Sequence, residues 1–142
     1  MTLVEIINDL NRIALNQPAI NEVLNSGDIY DLNSHRDAHF GVFCATQGQH
    51  IYDIEEQQMT YVFNLFYVDR LLSDNSNKND IQSTGISTLK NIINTIREEN
   101  YEMEVPEVYF DTFTERFSEL CAGAYASVKF VVDADNNCAD IF

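Results

Sequence analysis

The stretch QMTYVFNLFYVDRLL, residues 58–72, carries apolar side chains at both parities of a strand. Tyr61, Phe63, Leu65 and Tyr67 alternate with Val62, Asn64, Phe66 and Val68. Successive side chains of a strand point to opposite faces, so a sheet with one wet face reads apolar, polar, apolar, polar. This strand does not. Both of its faces need cover, either from helices or from another subunit.

The flanking segments supply candidates for that cover. In TLVE, Thr2 and Glu5 have the spacing of a capping box, and Leu3, Ile6, Ile7, Leu10, Ile13 and Ala14 recur at three and four residues. This predicts an amphipathic helix over 3–16, stopped by Pro18. A second periodic run, Ile81, Leu89, Ile92, Ile93 and Ile96, predicts a helix over 81–98 with Asp80 as its cap. Between Ala19 and Asn33 the pattern is mixed, with a helical turn expected at Ile20 to Leu24 and a loop at NSGD.

Period-two segments make up the rest. Phe40, Val42 and Cys44 share a face in AHFGVFCAT, and Gly48 and Gln49 are expected to turn the chain into HIYDIEE. EVYFDTFTERF and CAGAYASVKFVV close the pattern, and the small residues Ala122, Gly123, Ala124 and Ala126 invite a helix to lie close. The expected sheet therefore uses residues 38–47, 58–70, 107–114 and 121–132. The fold class is α+β, an antiparallel sheet with two main helices on it, in one structural domain over 1–142.

Charge limits the functions available. The chain has 8 basic against 23 acidic side chains, a formal net of −15. Phosphate backbones are bound by displacing counterions with Lys and Arg, so specific nucleic-acid binding is not expected. MTLVEIINDLNRIALN lacks the basic start and cleavage site of a signal peptide, and MTYVFNLFYV is too short to span a bilayer. A soluble chain, made and used without secretion and without membrane contact, is expected.

Candidate sites for chemistry fail on spacing. His35 and His39 stand four apart in HRDAH, a zinc spacing on a helix, but the segment leads into a strand, where that separation is about 13 Å. A third ligand would have to be His50 or Cys44. DADNN, from Asp133, puts oxygens at Asp135 and Asn137 as a calcium loop does, yet Cys138 stands where the loop needs glycine and no twelfth position follows. It reads as a hairpin turn. DNSNKND begins similarly at Asp74 and Ser76, with Lys78 on a ligand position and Gly85 where glutamate belongs. Cys44, Cys121 and Cys138 sit in strand-like segments without a CxxC, as buried free thiols do. The pairs Glu55 with Glu56 and Glu98 with Glu99 are adjacent in sequence and read as solvated surface rather than an acid and a base. No catalytic residue, cofactor, metal or disulfide is expected.

The phrases FYVDRLLSDNSNKNDIQSTGISTLKNIINTIRE and FTERFSELCAGAYASVKFVV, with their order of elements, resemble small structural proteins of tailed bacteriophages. The resemblance, over Thr2 to Val132, is to the tail-terminator and tail-completion group, and within it to neck-ring proteins of crAss-like phages of gut Bacteroidetes. It implies a virion protein made in the host cytoplasm that assembles as a homo-oligomeric ring, six- or twelve-fold. It also implies portal, connector or tail proteins as neighbours, and DNA passing through the lumen at genome ejection. The alternative is an acidic DNA mimic or adaptor that blocks a basic nucleic-acid-binding partner. A small hydrolase would need His35, His39 or Cys44.

Overall fold

The computed structural model describes residues 1–33, 39–117 and 119–133. Two helices lie on one face of a six-stranded, mostly antiparallel sheet. The elements in chain order are α1 (Leu3–Leu15), β1 (Glu22–Leu24), a 3-10 turn (Ile29–Asn33), β2 (Val42–Gln47), β3 (Ile51–Asp53), β4 (Gln58–Arg70), α2 (Lys78–Glu99), β5 (Tyr109–Arg116) and β6 (Leu120–Asp133). The strands run in the order β1-β2-β4-β6-β5. Among the described residues the β1–β2 pair is the only parallel pairing.

β4 is the spine of the sheet. Its ladder to β6 runs from Gln58 against Asp133 to Arg70 against Cys121. Along it Tyr61, Phe63, Leu65 and Tyr67 are buried beneath the helices, while Val62, Asn64 and Phe66 on the other face are half-buried. Ala122, Ala124 and Ala126 of β6 lie on the helix face, and α2 comes down on them as their size invites. Gly85 sits at this crossing. A Cβ there would stand 2.9 Å from Tyr67 Cδ2 and 3.0 Å from Ala124 Cβ.

α1 begins as its capping box requires, with the Glu5 N–H donating to Thr2 Oγ1 at 3.2 Å. It lies over β1 and β2 and beside α2. An exposed contact joins the helices, where Arg12 donates to Glu99 Oε2 at 2.8 Å.

Several boundaries differ from the sequence expectations, each for a local reason. Residues 22–24 form a strand and not a helical turn, because Glu22, Val23 and Leu24 pair with Val42, Phe43 and Cys44. The loop after NSGD contains a 3-10 turn that buries Ile29 and Leu32. α2 starts at Lys78, so Asp80 lies inside the helix and does not cap it. Asn77 precedes the helix, and its side chain accepts from the Leu72 N–H at 2.9 Å and donates to the Arg70 carbonyl at 3.1 Å. β5 is shifted two residues later than expected, to 109–116.

The turn expected at Gly48 and Gln49 is not a hairpin. β2 and β3 run in the same direction along one edge of β4, pairing with 63–68 and 58–60. Between them the His50 ring stands in for a backbone carbonyl, its Nδ1 accepting the Val62 N–H at 3.0 Å. Nε2, 3.0 Å from Gln47 Oε1, is then the protonated nitrogen. The chain reverses at 54–57 instead, where Asp53 Oδ1 accepts from the Glu55 and Glu56 N–H groups and Gln57 takes a φ of 51°.

Candidate interaction surface

The face of the sheet away from the helices is covered unevenly. At one end a small core of Leu24, Ile29, Leu32, Val42, Cys44, Val68, Phe117 and Cys121 closes it. Past this core the face opens, and three rings meet there. The alternation of β4, β6 and β5 puts Phe66, Tyr125 and Phe113 on this side, with Phe66 directly opposite Tyr125 in register. Ring centroids are 5.5 Å apart for Phe66 and Tyr125, 6.1 Å for Phe66 and Phe113, and 6.4 Å for Phe113 and Tyr125.

Gly123 makes room for this cluster. A Cβ at Gly123 would collide with the Tyr67 carbonyl at 1.9 Å and with Phe113 Cζ at 2.9 Å. Tyr30, 58% exposed, tilts against Phe117 at 6.0 Å from the 3-10 turn. Together the rings line a concavity of about 180 Å³ whose wall also includes Glu115. Asp28, Asp31 and Asp111 are exposed on the flanking segments, and the Tyr125 hydroxyl donates to Asp111 Oδ2 at 3.5 Å. Beyond the sheet end of the small core, Arg70 already stacks over the Phe40 ring, 5.0 Å from its centroid, and pairs with Glu119.

Large rings half-buried at a mouth rimmed by carboxylates are neither packed core nor an ordinary solvated face. Farther along the same face Ser127 Oγ donates to Asn64 Oδ1 at 2.9 Å, so polar groups there are satisfied within the sheet.

The residues weighed for chemistry are dispersed. Cys44 is fully buried, its sulfur 3.8 Å from Thr46 Oγ1, and burial pushes its thiol up to about 11. Cys121 is equally buried, donates to the Glu119 carbonyl, and is pushed by burial to about 12. Both are free thiols held in the neutral form, the wrong form for a nucleophile or a metal ligand. The His39 N–H donates to Glu22 Oε2, while His50 is committed to the β4 ladder. Among the described residues no three His, Cys, Asp or Glu side chains are placed to hold a metal ion. His35 and Cys138, and DADNN after Asp133, lie outside the described residues.

In DNSNKND, Asp74 Oδ1 accepts the Ser76 N–H at 3.0 Å. That bond is the first cause of the lowered Asp74 carboxyl, and the loop is therefore an Asx turn. Glu55 and Glu56 form the hairpin turn, and Glu99 faces Arg12. No helix among the described residues is long and apolar enough to cross a membrane. Sequence parity singled out Phe66 but not its companions, since Tyr30, Phe113 and Tyr125 come from three other elements and Phe117 from the connection between β5 and β6. A scan against protein-family models and a search of the curated proteins both find no match.

Proposed function

We propose that this chain is a structural subunit of a phage neck ring, set between portal and tail, and that its work is assembly rather than catalysis. The open aromatic face carries the proposal. A strand apolar on both sides has its own helices over one face, and Phe66, Phe113 and Tyr125 remain half-buried on the other. Leaving such rings wet forgoes about 25 cal/mol for each Å² that a neighbour would cover. Portal, connector or tail proteins are the further partners. Seen from the lumen, a net charge of −15 suits a conduit, because like charge lets DNA slide without being held.

Light scattering coupled to size exclusion tests the proposal. Wild type should self-associate with increasing concentration, and Phe66→Ser should remain a folded monomer, because the contact loses the apolar ring at its centre. Association of Phe66→Ser at wild-type strength would remove this face from the interface. A chain that stays monomeric at every salt concentration but binds a basic protein would favour the acidic mimic.

A further inference from the structure

We propose that the open sheet face is closed by α2 of a second copy, so that subunits join head to tail. The inference rests on the assembly proposed above and adds the geometry and chemistry of the contact.

Residues 81–97, in a chain with 23 acidic side chains, form the longest run free of Asp and Glu, and they include Lys90 and Arg97. One side of this helix is buried on the sheet through Ile81, Gly85, Leu89, Ile92 and Ile96. The other side presents Ser83, Ser87, Lys90, Asn94 and Arg97, all exposed and recurring at three and four residues. Lys90 has Ile86, Ser87, Ile93 and Asn94 as its helical neighbours, so no carboxylate on its own helix neutralises it. An otherwise acidic molecule thus carries a neutral-to-positive stripe on the outside of its helix layer.

The opposite side of the molecule carries the complement. Aromatic rings attract cations to their faces through their quadrupole, and the concavity gathers the rings of Tyr30, Phe66, Phe113, Phe117 and Tyr125 beside Glu115. If two copies met sheet to sheet, the acidic rim with Asp111 and Glu115 would be brought against the same rim of the other copy, and like charges across an interface are costly. Helix on sheet brings opposite signs together. Because the two patches lie on different sides of the subunit, the contact is heterologous, and its repetition closes a ring or continues as a filament. Each β4 then lies between its own helices and a neighbour's α2, which gives residues 59–68 the two-sided cover their sequence demands.

Two crippled variants test this when mixed. Phe66→Ser removes the central ring of the sheet patch without adding a charge that the helix stripe could pair with, and Lys90→Glu with Arg97→Glu removes the helix patch. Each should be monomeric alone. Mixed in equal amounts, at a salt concentration where wild type assembles, they should give a heterodimer of twice the 16.3 kDa chain mass and nothing larger, because one intact patch remains on each copy. Near-UV circular dichroism confirms folding. Should Phe66→Ser fail to fold, Tyr30→Ser at the exposed rim takes its place. A mixture that stays monomeric while wild type assembles overturns the head-to-tail contact and leaves the ring proposal standing. Wild type that never associates overturns both, and a sheet-patch variant that assembles alone overturns the contact.

Discussion

Replacing Gly85 by alanine sets two opposed effects against each other at the point where α2 crosses the sheet. Alanine is a better helix former than glycine by about 1 kcal/mol in a helix interior. Packing acts the other way, because the added methyl would lie 2.9 Å from Tyr67 Cδ2 and 3.0 Å from Ala124 Cβ. Carbon atoms prefer about 3.5–4.0 Å. Neither neighbour can retreat: Tyr67 is 3% exposed, and Ala124 belongs to a strand paired on both sides. Overpacking of this kind costs about 1–3 kcal/mol. Packing therefore wins, and Gly85→Ala should lose about 1 kcal/mol net. Gly85→Val should lose more, since it adds bulk and has the poorer helix propensity. Urea unfolding followed by far-UV circular dichroism reads this directly: a loss of about 1 kcal/mol at a slope of about 2 kcal/mol/M lowers the midpoint by roughly 0.5 M. Ser87→Ala on the exposed side supplies the control, stabilising by a few tenths of a kcal/mol. A Gly85→Ala protein more stable than wild type would refute the reasoning, because the helix would then have room to rise from β6.

Alkaline pH should weaken the fold. Burial raises Cys44 to about 11 and Cys121 and Tyr67 each to about 12, so the unfolded chain releases these protons first. The stability they contribute is full below about pH 9 and is lost as pH rises towards 11 and 12, at up to about 1.4 kcal/mol per unit for each group. A urea midpoint that stays level between pH 9 and 11 contradicts this, and Cys121→Ala should make the decline shallower. Asn77→Ala removes the two hydrogen bonds that tie the loop before α2 to β4. It should cost about 1–2 kcal/mol and speed proteolysis at 72–76; unchanged cleavage would mean that the loop is held by other contacts. Raising salt should favour assembly, since repulsion between subunits of charge −15 is screened beyond about 8 Å at 0.15 M while desolvated apolar and cation–ring contacts persist. Light scattering that shows dissociation with salt would mean that exposed ion pairs hold the ring.

Periodic segments were legible in the sequence because their signal is local. The capping box at Thr2, the three-and-four spacing of apolar residues along 3–16 and 81–98, and the doubled alternation of 58–70 each depend on residues within a turn or two. What escaped depends on distant partners. Residues 22–24 are a strand only because 42–44 lie beside them, and nothing within INEVL announces that pairing. The misplaced turn has a similar cause. Gly48 and Gln49 carry turn chemistry, but the His50 ring completes the ladder to Val62 and carries the edge onward to β3. As for the aromatic concavity, parity could place Phe66 on the outer face, whereas the meeting of Tyr30, Phe113 and Tyr125 with it follows from register across strands far apart in sequence.

The pairing of β4 with β6 also sets a timetable for the nascent chain. Asn64 and Ser127, joined across that ladder, are 63 residues apart. At about 5–20 residues per second of synthesis, β4 waits several seconds for the strand that will flank it. For that interval its rings lack β6 beside them, and among the described residues β2 and β3 are the strand partners already made. Pairings between segments so distant form slowly in any case, because the intervening loop must first be closed. The stretch that most firmly dictates the finished sheet is thus the one most exposed to chaperones, and to neighbouring unfinished chains, while the protein is being made.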